Sequence, residues 1–132
     1  MHPEVEQIST DPDPFEAYRI SQAMRVGDLV YTSGQAAIDL QGNLVGVGDF
    51  DAQAEQVFTN LRAVLEAADS GLEKIVKVTI FLTDMSNFPK IVALRERYFS
   101  QPYPADTIVE VRSLALPELE IEIEAIAVSS QS

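Results

Sequence analysis

Residues 52–83 read AQAEQVFTNLRAVLEAADSGLEKIVKVTIFLT, and the hydrophobic period changes in the middle of this stretch. Over residues 52–69 apolar side chains recur at three- and four-residue steps, which predicts an amphipathic helix with Asp51 as its cap and Gly71 at its end. From Val76 to Leu82 apolar and mixed positions alternate, which predicts a strand with one apolar face. We expect this strand to lie centrally under the helices.

The rest of the chain supplies shorter elements. Strand-like alternation is found in residues 22–26, 29–33, 36–40, 44–47, 107–112 and 119–128. Gly27-Asp28 suits a tight hairpin turn, and a second helix is expected over residues 89–99, capped by Ser86 or Asn87. The predicted order ββββ-α-β-α-ββ favours an α+β fold, a β-sheet with two helices packed on one face. Residues 1–17, with three prolines and five acidic residues, predict a loosely ordered N-terminal arm.

Composition limits the function. The 132 residues fit one domain, 1–132, and the net charge of −12 argues against a nucleic-acid or membrane-surface partner, since it repels phosphate groups. The start of the chain lacks the features of a signal peptide, so a cytoplasmic protein is expected. There is no cysteine, and His2 is the sole histidine, so we expect no metal site, no Ser-His-Asp arrangement and no cofactor, nucleotides included.

One face of the sheet is predicted to be apolar and uncovered. Phe81, Ile108, Ile126 and Val128 are expected to point away from the helices, and such a patch on a small protein usually marks an interface. We therefore expect an oligomer. These residues leave one alternative open, which is a curved sheet whose outer face is exposed to solvent.

Several short motifs resemble the RidA/YjgF family. They are Ser21-Gln22-Ala23, residues 26–30, Ser33-Gly34-Gln35, residues 52–56, residues 81–85 and residues 121–127, in that order along nearly the whole chain. The resemblance implies a chorismate-mutase-like (RidA/YjgF) fold with a mixed sheet, a homotrimer with sheets facing inward, and a small-molecule ligand in each intersubunit cleft. It also implies cofactor-free hydrolysis of reactive enamines and imines to keto acids and ammonia.

The predicted cleft departs from the family pattern. Where similar proteins carry an arginine that grips the substrate carboxylate, this chain reads Pro104-Ala105-Asp106-Thr107. A family tyrosine, asparagine and cysteine are matched by Ile20, Val92 and Ile108, whereas the glutamate thought to position water is matched by Glu122. With Ser33, Gly34 and Thr107, these are the candidate substrate-binding residues, and Asp106 and Glu122 are the candidate catalytic pair.

Electrostatics predicts the effect of Asp106. A ligand carboxylate about 4 Å away would be repelled by roughly 1 to 4 kcal/mol, so binding of 2-imino acids should suffer. If Asp106 and Glu122 share one cleft, their like charges should raise one pKa and create an acid/base pair. The plainer interpretation places Asp106 in a solvated loop and Glu122 on a solvated strand face.

Other residues also leave alternatives open. Arg19, Arg95 and Arg112 are either a relocated anion clamp or ordinary surface arginines, and Ser33 and Gly34 either donate backbone hydrogen bonds to a ligand or simply end a strand. Two functions follow. The first is a deaminase or hydrolase of a small enamine or imine, with Glu122 placing water. The second is a non-catalytic small-ligand-binding or regulatory trimer of the same fold.

Overall fold

A six-stranded mixed sheet forms the centre of the computed structural model, which describes residues 4–129. The elements in chain order are β1 (Val5–Ile8), β2 (Ala23–Val26), β3 (Leu29–Thr32), α1 (Phe50–Ala67), β4 (Ile75–Leu82), α2 (Phe88–Tyr98), β5 (Ala105–Glu110) and β6 (Ile121–Val128). The strand order is β1-β2-β3-β6-β4-β5. Only the β4–β5 pair is parallel among these strands. The predicted α+β class is confirmed.

The N-terminal segment is more ordered than its sequence indicates. Val5–Ile8 pairs antiparallel with β2, and Ile8 is buried in the core. Arg25 of β2 binds the Glu6 carboxylate and donates to the carbonyl oxygen of Ala68 at 3.0 Å. The expectation of a loose arm over residues 1–17 is therefore wrong for this strand, because a buried side chain and an ion pair hold it. Residues 1–3, with His2, lie outside the described residues.

The second predicted hairpin is reduced to one bridge, between Ile38 and Leu44. The turn itself forms as predicted, since the Asp39 Oδ1 accepts hydrogen bonds from the backbone N–H groups of Gln41 at 3.0 Å and Asn43 at 2.9 Å. A side chain thus satisfies donors in the turn, as aspartate commonly does in Asx-turns. From residue 4 onward, three strands instead of the predicted four precede α1.

Both helices pack on one face of the sheet, as predicted. Asp49, rather than Asp51, caps α1, because its carboxylate accepts the N–H of Ala52 at 3.1 Å. The Phe58 ring stacks on Tyr98 of α2 with centroids 4.1 Å apart, which joins the two helices. Asn87 precedes α2 but makes no side-chain cap.

Within residues 4–129 no helix has the length and apolarity needed to cross a membrane.

The outer face of the sheet is only partly as expected. Phe81 and Glu122 are paired in register, and they lie with Ile126 and Val128 on the face away from the helices. Ile108 is different, because its partner in β4 is the buried Ile80, and Ile108 packs against the core. The expected outward direction of Ile108 is wrong, since parallel pairing with β4 turns it toward the helices.

A register irregularity at the start of β4 changes one further position. The pairing with β6 shifts between Ile75 and Lys77. Ile75 is buried, whereas Val76 is 46% exposed. The sequence places Val76 inside because simple alternation takes no account of a bulge.

Candidate functional site

Glu122 and Gly34 form the first half of the candidate site. Gln35 and Ile123 exchange two backbone hydrogen bonds, of 2.8 and 3.0 Å, which hold the segment after β3 against β6. The Glu122 side chain then lies directly over Gly34, where a Cβ atom would be 2.1 Å from Oε2. Only glycine leaves room for the carboxylate in this position.

The Glu122 carboxyl has an unusual environment for a residue on a strand face. Burial raises the pKa of Glu122 above its ordinary value, and the negative charge of Glu124 raises it further. In the part of the chain that the structure describes, no hydrogen bond to the Glu122 carboxylate is present. A half-buried carboxyl with a raised pKa and open lone pairs is suited to exchanging protons with a bound molecule.

Ser33 lies next to this half, and Ile20 precedes Ser21, to which Ser33 is hydrogen-bonded. The Ser33 hydroxyl donates to the Ser21 carbonyl oxygen at 2.6 Å, and the Ser33 N–H donates to the Gln22 carbonyl oxygen at 2.8 Å. Ser33 therefore has no backbone donor left for a ligand, contrary to one of the two alternatives. The Gly34 N–H has no hydrogen-bond partner among residues 4–129, so that donor remains available. Ile20 is 49% exposed and lines a surface depression with Arg19.

Asp106 belongs to a second half on the helix side of the sheet. Its partner in β4 is the buried Val78, so its side chain points toward α2. There Arg95 binds it through two hydrogen bonds, Nε to Oδ2 at 2.9 Å and Nη2 to Oδ1 at 3.1 Å. Asp106 is therefore neither a solvated loop residue nor an isolated anion, and the predicted repulsion of carboxylates is reduced by the adjacent guanidinium.

The Arg95–Asp106 pair opens into a depression of about 450 Å³. The depression is lined by Val92, Arg95, Glu96, Phe99, Tyr103, Pro104 and Asp106. Val92 and Tyr103 are each about half exposed. Of the other candidates, Ile108 packs into the core and Thr107 lies on the outer face, where its hydroxyl accepts from Lys77 Nζ at 2.7 Å. The structure does not bring either residue to this depression.

Within the chain the two candidate catalytic carboxylates do not meet. Glu122 lies on the outer face of the sheet and Asp106 on the helix face, so the sheet separates them. Their pairing as acid and base was expected only for a cleft that both residues share, and it therefore stays a prediction. The sequence also left Arg95 as one of three open alternatives, and only the topology shows that it is the partner of Asp106. Among the described residues no group of three His, Cys, Asp or Glu could hold a metal ion.

Comparisons with known proteins cover almost the whole chain. The family model described as endoribonuclease L-PSP matches residues 9–129. The RutC family protein y4sK of Sinorhizobium fredii is 42% identical over 92% of this chain and 96% of its own length. The 2-iminobutanoate/2-iminopropanoate deaminase of Dermatophagoides farinae is 38% identical over 89% of each chain. The crystal structure of RidA from a Psychrobacter species has a TM-score of 0.84 and 40% identity, over 93% of this chain and 98% of that one. This overlap confirms the expected fold.

Proposed function

Because the chain belongs to the endoribonuclease L-PSP family, which includes the RidA/YjgF proteins, we propose that it is a cofactor-free hydrolase of a small enamine or imine. The observation that carries this proposal is the half-buried Glu122 carboxyl over Gly34, with its raised pKa. A deaminase that is 38% identical supports the reaction class.

The proposed reaction needs only water and one proton-exchanging group. An enamine first takes a proton from solvent on carbon and becomes an iminium ion, the protonated imine. Glu122 as carboxylate accepts a proton from water while the water oxygen bonds to the iminium carbon, which gives a neutral carbinolamine. The same carboxyl then returns its proton to nitrogen, the C–N bond breaks as ammonia leaves, and the hydroxyl proton passes to solvent as the carbonyl compound forms. A raised pKa makes the Glu122 carboxylate a stronger base toward water than an ordinary glutamate, and it increases the protonated fraction that can supply the nitrogen.

The substrate preference is proposed to differ from that of 2-imino acid deaminases. In this chain position 106 carries a carboxylate where similar proteins carry a guanidinium, and this carboxylate occupies Nε and Nη2 of Arg95. Ile20 and Val92 replace polar groups of the family pattern with apolar side chains that are about half exposed. All three features weaken recognition of a small carboxylate.

We place the complete site between subunits of a homotrimer. One chain carries the Glu122 half on the outer sheet face and the Asp106 half on the helix side, so two chains are needed to bring them together. The outer face, with Phe81, Ile126 and Val128, supports an interface there. In this arrangement residues 1–132 act as one domain, and the cytoplasmic location stays a prediction.

A second candidate function is a non-catalytic trimer that binds a small ligand and regulates another process. The internal ion pair favours it, because Asp106 already has a partner and is not poised for proton transfer. The first candidate is compatible with the ion pair, because it assigns proton transfer to Glu122 alone. We prefer it because a relative that is 38% identical is a deaminase.

The test is hydrolysis of imines generated in situ, with semicarbazide as a competing trap. An amino-acid oxidase supplies 2-imino acids, and a flavin amine oxidase supplies uncharged imines. We expect the wild type to lower semicarbazone formation from uncharged imines, and Glu122→Gln to abolish the effect. Glu118→Gln, an exposed glutamate in the loop before β6, is the matched control. Wild-type inactivity on both imine classes would favour the non-catalytic alternative.

A further inference from the structure

The Arg95–Asp106 pair has a geometry that determines what the depression beside it can bind. Nε and Nη2 of Arg95 are occupied by the two carboxylate oxygens of Asp106. The guanidinium carbon is also 5.7 Å from the centroid of the Phe88 ring. Two hydrogen bonds and a ring contact fix the orientation of the guanidinium, so the group is preorganised.

One edge of this guanidinium remains open. No hydrogen bond from Nη1 of Arg95 is present within residues 4–129, so its two N–H groups are available to a ligand. Each Asp106 oxygen accepts one hydrogen bond from Arg95 and keeps a lone-pair direction for a further donor. Donors and acceptors thus lie side by side in a depression whose other lining includes the apolar Val92 and Phe99.

The charges and the hydrogen-bonding groups around the depression together favour an uncharged ligand. Arg95 and Asp106 cancel, and Glu96 adds a negative charge to the lining. A ligand carboxylate at Nη1 would gain from Arg95 but would be repelled by both acidic side chains. A cationic ligand would be attracted by the acidic side chains, but an ammonium group has no acceptor for the Nη1 donors of Arg95. A neutral group with a carbonyl oxygen and an N–H, such as a carboxamide, matches the donors and acceptors without either repulsion.

We propose that the Arg95–Asp106 pair selects an uncharged carboxamide-like group at the position where a 2-imino acid carries its carboxylate. This inference rests on the proposed function for its chemistry, since it names the substrate class of the same site. It concerns binding at the α2–β5 depression, and it is therefore testable without turnover.

The experiment compares two product-like probes, 2-oxobutanamide and 2-oxobutanoate, by NMR titration of the full-length protein. The resonances of Val92 and Tyr103 report the depression. We expect wild-type protein to bind the amide more tightly than the carboxylate. In Asp106→Asn the positive charge of Arg95 is no longer compensated. Because one negative charge about 7 Å from the ligand is lost, the affinity for 2-oxobutanoate should rise by about 3-fold to 50-fold. Arg95→Gln should weaken binding of the amide. Arg97→Gln, on the same helix but outside the depression, should change the affinity for neither probe.

A charge exchange, Arg95→Asp with Asp106→Arg, provides a second test if a single variant does not fold. It keeps the pair neutral, so preference for the amide should be retained. Tighter wild-type binding of 2-oxobutanoate, lost in Arg95→Gln, would overturn the proposal and make Arg95 a carboxylate clamp. Absence of any shift at Val92 and Tyr103 with both probes would also overturn it. Amide binding without imine hydrolysis would refute the proposed function and leave this inference standing.

Discussion

Replacing Gly34 by alanine should move the Glu122 carboxylate and leave the fold almost unchanged. The φ angle of Gly34 is outside the left-handed region, so alanine can adopt this backbone without strain. The added Cβ would be 2.1 Å from Oε2, 2.7 Å from Cδ and 2.9 Å from Cγ of Glu122. All three atoms belong to one flexible side chain, so the side chain yields and the backbone does not.

The size of the effect follows from these distances. To reach an ordinary contact of 3.4 Å from 2.1 Å, the carboxylate oxygen must move by about 1.3 Å. A forced rotamer change costs about 0.5 to 1.5 kcal/mol, which is a small loss of stability. A displacement of about 1 Å in a catalytic group can lower a rate by roughly 10²-fold. We therefore expect Gly34→Ala to lose about 99% of imine hydrolysis while its melting temperature falls by only a few degrees.

The assay is semicarbazide competition with uncharged imines, together with NMR titration of the Glu122 carboxyl. A displaced carboxyl is better hydrated, so its pKa should fall toward the ordinary glutamate value in Gly34→Ala. The pKa measurement keeps the test independent of turnover. Wild-type activity together with an unchanged Glu122 pKa would show that the close approach to Gly34 has no functional role.

Three further predictions concern stability and assembly. The raised pKa of Glu122 favours the folded state below pH about 4.5 and disfavours it as pH rises through the folded-state pKa. Glu122→Gln should therefore increase the melting temperature at pH 7, whereas at pH 4 it should change it little. Arg25→Ala should cost about 2 kcal/mol in urea unfolding, since Arg25 joins β1 to the end of α1, whereas Arg62→Ala on the exposed face of α1 should cost almost nothing. Phe81→Glu should yield monomers in light scattering if the outer face is the interface, and an unchanged trimer would place the interface elsewhere.

The sequence alone predicts most of the fold because the principal helix and the strands have clear periods. The 3.6-residue pattern before Gly71 and the alternation after it place α1 and β4 within two residues of their observed bounds. The missed features depend on tertiary contacts. One apolar residue, Ile8, does not predict that β1 pairs at the edge of the sheet. The bulge that exposes Val76 does not change the sequence pattern from which the strand was predicted.

The candidate site was less predictable than the fold, since it depends on which face each strand residue takes. Asp106 and Glu122 both lie at alternating positions in strands, and only the parallel pairing of β5 with β4 sends Asp106 to the helix side. Arg95 lies eleven positions before Asp106, across the break between α2 and β5. No helical or strand period connects two such positions, so their contact is a product of topology.

The Arg95–Asp106 pair has two effects of different size, one on the stability of the fold and one on ligand preference. Among the strands that the structure describes, β5 is an edge strand that pairs only with β4, and the ion pair joins it to α2. The side chains keep 25% and 17% of their exposure, so water weakens the pair and its net stabilisation should be about 1 kcal/mol. The field at the depression depends instead on the sign of both charges, because one uncompensated charge about 7 Å from a ligand is worth roughly 0.6 to 2.4 kcal/mol. Asp106→Asn should therefore change ligand preference at least as much as it changes stability, and the exchanged pair should restore stability and preference together.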